Sequence, residues 1–128
     1  MNIKNKWALI TGASRGIGKE IAKAMAAEGC NLILHSRNIE HTKALAEELK
    51  GVKVFQIEGD LSDVSVVEKI ADEVEKLSGG LDILYNNAAI MTKYRTEYYT
   101  APADEYEISF KVNTIVPILI CNRIIPKM

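Results

Sequence analysis

Eight residues, Thr11-Gly12-Ala13-Ser14-Arg15-Gly16-Ile17-Gly18, constrain this chain more than any other stretch. They follow Trp7-Ala8-Leu9-Ile10, which reads as a short buried strand. They lead into Ile17, Ile21, Ala22 and Met25, apolar positions that recur at helical spacing. Three glycines therefore join a strand to a helix, and glycine serves where backbone must turn sharply or come close to a ligand. The helix that begins there aims its free N–H groups and the positive end of its dipole over the loop, an arrangement suited to a phosphate. A glycine-rich octapeptide alone also makes ordinary turns. The strand before it, the helix after it and a second strand soon afterwards favour the phosphate reading.

The same alternation continues to the fourth strand. The first helix is expected to run to about Glu28 and to stop at Gly29, a natural C-terminal cap. Asn31–Ser36 reads as a second strand whose apolar centre lacks polar alternation, as in strands covered on both faces. A helix over about Glu40–Lys50, ended by Gly51, precedes a third strand over Val52–Glu58. A helix over about Asp63–Leu77 carries Val67, Ile70, Ala71, Val74 and Leu77 on one face, with Ser62 placed to cap it and Gly79-Gly80 to end it. Leu81–Asn86 is the fourth strand. This pattern implies an α/β fold: one doubly wound parallel sheet of Rossmann type, with right-handed crossovers and helices on both faces. It is read as a single dinucleotide-binding domain over residues 1–128, with strand order 3-2-1-4 and an end after the fourth strand and its following helix.

Two segments break the regularity. Residues 87–102, rich in tyrosine (Tyr94, Tyr98, Tyr99), form a loop long enough to act as a lid, or else a connection whose tyrosines cover apolar surface. The last helix, about Ala103–Lys127, is apolar nearly all round from Ile115 to Ile125, so it calls for burial on every face. It also contains Pro117, which has no N–H for the carbonyl of Asn113 four residues back, so a kink with that carbonyl freed is expected.

Composition narrows the function by exclusion. A net charge of −1 gives no electrostatic case for nucleic acid or an anionic membrane. No apolar run in the sequence reads as a membrane span, and no signal-type segment precedes the first strand. Cys30 and Cys121 read as small buried hydrophobes, so a reducing, cytoplasmic setting is expected. His35 and His41 read as surface residues, and no metal site is suggested.

In open α/β sheets ligands sit beyond the C-terminal strand ends, here Thr11-Gly12, Ser36-Arg37, Asp60-Leu61 and Asn86-Asn87. About twenty residues after the glycines, an acidic side chain would select NAD through the ribose 2′-hydroxyl. This chain has Ser36-Arg37 there and Arg15 within the loop, so NADP is favoured over NAD, through a 2′-phosphate. Either arginine can also be read as a solvated surface charge, Arg15 more readily than Arg37.

From Trp7 to Met128 the chain resembles the N-terminal half of a short-chain dehydrogenase/reductase, and is similar to the 3-oxoacyl-acyl-carrier-protein reductases within that family. The family's Thr-Gly-x-x-x-Gly-x-Gly loop matches Thr11–Gly18, its acidic adenine contact matches Asp60-Leu61, and its Asn-Asn-Ala-Gly segment matches Asn86-Asn87-Ala88-Ala89, with Ala89 in place of glycine. The resemblance implies that Gly12, Ser14, Arg15, Gly16, Ile17, Gly18, Ser36, Arg37, Asp60, Leu61, Asn87, Ala88 and Ala89 line an NADP(H) site. It also implies that the main-chain carbonyl of Asn113 holds a water in a proton relay.

The family transfers hydride between nicotinamide and a carbonyl or alcohol carbon of a small molecule, using a Ser and a Tyr-x-x-x-Lys pair. A tyrosine of ordinary pKa exchanges protons poorly at neutral pH without a neighbouring cation. No Tyr-x-x-x-Lys occurs in these 128 residues, and Lys111 is one place out of register from Tyr106. The expectation is the cofactor-binding part of an NADP(H)-dependent oxidoreductase, inactive alone. The alternatives are a non-catalytic dinucleotide-binding module and a flavodoxin-like or receiver-type domain, the last disfavoured because the first strand ends in glycines and not in paired acids. The uncovered last helix and the fourth-strand edge are expected to drive homo-oligomer formation.

Overall fold

A computed structural model describes residues 2–97 and 100–128, so Tyr98 and Tyr99 of the expected loop lie outside the described residues. The chain folds as β1 (Trp7–Ile10), α1 (Gly16–Ala27), β2 (Asn31–Ser36), α2 (Glu40–Glu48), β3 (Val54–Glu58), α3 (Val66–Ser78), β4 (Ile83–Tyr85), α4 (Ala103–Phe110), a π-helical turn (Lys111–Ile115), α5 (Val116–Ile124) and a 3-10 turn (Ile125–Lys127). The sheet order is β3-β2-β1-β4 with every pair parallel, which is the expected 3-2-1-4 arrangement.

Leu32, Ile33 and Leu34 of β2 are all fully buried, because adjacent residues of one strand point to opposite faces and both faces are covered. Leu9, Ile33 and Ile57 face one core with Val67, Ile70 and Val74 of α3 and Val116, Ile120 and Ile124 of α5. Ala8, Ile10, Leu32 and Leu34 face the other, closed by Ala22 and Ala26 of α1 and Leu45 of α2.

Several expectations need correcting. α3 begins at Val66, and no side chain caps it. Ser62 therefore does not cap it. The turn before it is held by Asp63, whose Oδ1 accepts from the Ser65 amide (2.9 Å) and hydroxyl (2.7 Å). β4 is shorter than expected, and ahead of it the Asp82 amide donates to the Trp7 carbonyl (3.0 Å) while its carboxylate accepts from the Trp7 amide (2.9 Å) and Lys6 Nζ (2.9 Å). Cys30 is buried as expected, but Cys121 is only half-buried, with the Asn86 amide 3.4 Å from its sulfur.

The run Ala103–Lys127 is helical throughout and, contrary to the sequence reading, long and apolar enough by composition to cross a membrane. Its contacts are those of a sheet-covering helix: Val112, Val116, Ile120 and Ile124 are buried, Arg123 pairs with Glu68 (2.5 Å) and Asp72 (3.1 Å) of α3, and Lys127 pairs with Glu75. Burial on every face is not reached, since Ile115, Ile118 and Ile125 are exposed. Ahead of Pro117 the helix widens into the π-helical turn, where the Val116 amide donates to the Lys111 carbonyl. α5 then starts afresh with proline in its first turn, where a missing N–H is tolerated.

Candidate dinucleotide site

The loop is fixed from beneath by Thr11. Its buried hydroxyl accepts from the amides of Asn87 (3.0 Å) and Ala88 (3.0 Å) and lies 3.4 Å from the Tyr85 carbonyl, to which it donates. Asn87 returns the contact, its Nδ2 donating to the carbonyls of Thr11 (3.0 Å) and Gly12 (3.0 Å). The ends of β1 and β4 are thus one unit, although 76 residues separate Thr11 from Asn87.

Two glycines are demanded by this packing. Gly12 has φ +66°, and a Cβ there would lie 2.8 Å from the Ala88 Cα. A Cβ on Gly18 would overlap Asn87 Nδ2 and the Gly12 carbonyl oxygen. Gly16 (φ +56°) faces open space, so only its backbone conformation asks for glycine.

Above this unit the N-terminus of α1 is bare. Arg15, extended at the N-cap, makes no side-chain cap, and the first turn holds no acidic residue. Its first amides therefore lack a side-chain partner, and Arg15, Gly16 and Ile17 are exposed. Ile17, placed by spacing in the buried stripe, is instead 73% exposed and stands at the mouth of the loop. Ser14 is half-buried beside it.

At the end of β2, Ser36 is buried, its hydroxyl donating to the Asn38 carbonyl (2.6 Å), while Arg37 is exposed. Arg37 helps hold the Asp60 carboxyl below the usual range, after the larger effect of the Ser62 amide and hydroxyl. Leu61 turns its side chain into the core. Ala89 is exposed, and no left-handed backbone occurs there, so the backbone at this position does not require glycine.

Sequence reasoning mistook His35. It is 2% exposed, and its ring spans two site loops: Nδ1 faces the Gly12 amide (3.4 Å) and Nε2 the Gly59 carbonyl (3.0 Å). An amide only donates and a carbonyl only accepts, so the ring is the neutral tautomer with its proton on Nε2. Its partners lie 23 and 24 residues away in the chain, beyond any local signal. His41 is exposed.

Asn113 is joined to the site by its side chain. Its Oδ1 accepts from the Ile90 amide (2.9 Å), and its Nδ2 donates to the Ile90 carbonyl (2.7 Å) and lies 3.2 Å from Ser109 Oγ. This pins the segment after β4 to the helix. Further along, Arg95 and Glu105 form a two-pronged pair (2.9 and 2.5 Å) that holds the Glu105 carboxyl down to about 2. Among the described residues no group of three His, Cys, Asp or Glu side chains is placed to hold a metal ion.

A family profile described as short chain dehydrogenase matches residues 6–128. Galactitol 2-dehydrogenase of Agrobacterium fabrum is 34% identical over 124 residues, covering 97% of this chain and 47% of that protein. The 3-oxoacyl-acyl-carrier-protein reductase of Aquifex aeolicus is 34% identical over 131 residues, covering 100% of this chain and 52% of that protein. A crystal structure of a metagenomic short-chain oxidoreductase in complex with NADP matches with a TM-score of 0.91 at 28% identity, covering 100% of this chain and 58% of that one. The chain thus spans about half the length of the curated relatives it matches.

Proposed function

The chain belongs to the short-chain dehydrogenase family, and from that premise we propose that its 128 residues hold NADP(H) for hydride transfer to or from a carbonyl or alcohol carbon. One observation carries the reading: the uncapped start of α1 sits over a glycine loop locked to Asn87 and Ala88. Free amides and a positive helix end fit a pyrophosphate, and the bare first turn leaves room for it. Gly12, Ser14, Gly16, Ile17 and Gly18 form that cradle. Arg37, with Arg15, supplies charge for a 2′-phosphate, and Ser36 shapes the turn that presents Arg37. Asp60 and Leu61 border the adenine, and Asn87, Ala88 and Ala89 the nicotinamide side. When bound, the dinucleotide would supply the hydride for reduction of a carbonyl or accept it in oxidation of an alcohol. The chain's own part is to bind and orient it, with the Asn113 main-chain carbonyl, to which Pro117 has no N–H to donate, holding a water for proton transfer.

A second reading, binding without turnover, is favoured by the absence of Tyr-x-x-x-Lys from these residues. The test is a fluorescence titration with NADPH and NADH, followed by the same titration of Arg37→Ala. Tighter NADPH binding, weakened about tenfold or more by the substitution while NADH is little affected, is the expected result, the size being that of a hydrogen bond to a charged group. A preference for NADH would refute the assignment of Arg37. Oxidation of NADPH by carbonyl compounds, measured on the same protein, separates the two readings. We further propose self-association through the last helix or the β4 edge.

A further inference from the structure

We propose that His35 is a positioning residue whose proton governs the glycine loop: the neutral ring holds the Gly12 amide, and protonation of Nδ1 releases it and loosens the grip on the dinucleotide. The inference rests on the cofactor reading above. Its geometry does not. Nδ1 offers a lone pair to the Gly12 N–H while Nε2–H donates to the Gly59 carbonyl, so one ring ties the β1 loop to the turn that carries Asp60. The Ala13 amide, next along the loop, donates to the His35 carbonyl (2.9 Å), so the loop is held by this residue's backbone as well as its ring. An imidazolium donates from both nitrogens. A proton on Nδ1 would face the Gly12 N–H donor to donor, and the ring or the loop must then move. Because Gly12 is also gripped by Asn87 and packs against Ala88, displacement there is passed to the turn into α1.

The charged side chains next in the chain to the glycine loop, to His35 and to the Gly59 turn are Arg15, Lys19, Glu20, Arg37, Glu58, Asp60 and Asp63, and Lys111 of the π-helical turn acts on Asp63. None of them hydrogen-bonds the ring in the described structure. Burial pushes the imidazole below the ordinary histidine range, and the Gly59 carbonyl opposes this only in part. The ring is therefore neutral at pH 7, and the hold on the loop is lost as pH falls through that lowered value.

The 2′-phosphate of NADPH itself titrates near pH 6, so the informative quantity is the ratio of wild-type to variant Kd. His35→Asn places an amide oxygen where Nδ1 stood and cannot titrate. Between pH 7.5 and 5.0, with folding checked by circular dichroism, wild-type Kd for NADPH should rise about fivefold more than that of H35N, the loss of one hydrogen bond. In the ligand-free protein the Gly12 amide resonance should follow a single proton with a midpoint below the ordinary histidine range, and should be flat in H35N. A constant Kd ratio, or a Gly12 resonance that does not titrate in the wild type, overturns the proposal. If NADPH binds at no pH while Gly12 still titrates, the cofactor reading fails and the role of His35 in holding the loop stands. If H35N does not fold, the wild-type Gly12 resonance decides alone.

Discussion

Gly12 and Gly16 both hold backbone in the left-handed region, yet an added methyl group meets different surroundings at each. At Gly16 it would project into open space, so alanine pays only for the conformation, about 1–2 kcal/mol. At Gly12 the same conformational penalty is joined by a Cβ 2.8 Å from the Ala88 Cα, and overpacking adds about 1–3 kcal/mol. Gly12→Ala should therefore lower the urea midpoint clearly more than Gly16→Ala. It should also remove NADPH binding, because the β1–β4 junction has to open. Equal midpoints for the two variants would show that Ala88 yields freely and that the junction is not rigid. Thr11 makes the same point with hydrogen bonds: one buried hydroxyl accepts from two successive amides.

At the scale of elements, Asn113 acts as a detached peptide unit, pairing with both polar groups of Ile90 as a neighbouring strand would. Asn113→Ala should cost about 1–2 kcal/mol, two exposed hydrogen bonds at their usual net worth, and should speed hydrogen exchange at the Ile90 amide. Unchanged exchange there would mean that the segment after β4 is held by something else. The sequence made the helix, the glycine loop and the asparagine visible, but not this pairing, since the two partners lie 23 residues apart. The same distinction runs through the rest of the fold. Elements written in periodic apolar residues, such as α3 and β2, were legible because period and burial are local properties. Ser62 was not, because serine, Asp60 and Asp63 all offer oxygens to nearby amides, and the turn geometry decides which are used. His35 was misread because a polar letter at a strand end normally meets water, and only the folded sheet brings Gly12 and Gly59 to it. The π-helical turn was hidden for a related reason: Pro117 announces a lost hydrogen bond, but the helix can answer with a kink or with a wider turn.

For the whole molecule, the unresolved balance lies at its surface. Phe110 is 61% exposed and Ile118 55% exposed on the last helical run, with Ile125 beyond them. Their opposite face is fixed, since Val116, Ile120 and Ile124 are in the core and Arg123 is paired to α3. β4 forms one edge of the sheet, and its Tyr85 is also exposed. Both features favour contact with another apolar surface, but they make different demands. An edge pairs through backbone amides and tolerates side-chain change, whereas a helix face depends on its side chains. Ile118→Asp places a charge in the middle of the helix face without touching the core or the dinucleotide loop. If the helix is the contact, the wild-type chain should sediment as a concentration-dependent oligomer and the variant as a monomer, with NADPH affinity unchanged. If the variant remains oligomeric, association runs through the β4 edge, and Tyr85→Lys should then disperse it. A wild-type chain that sediments as a folded monomer across the concentration range would refute both routes and show that these exposed apolar residues are tolerated in water.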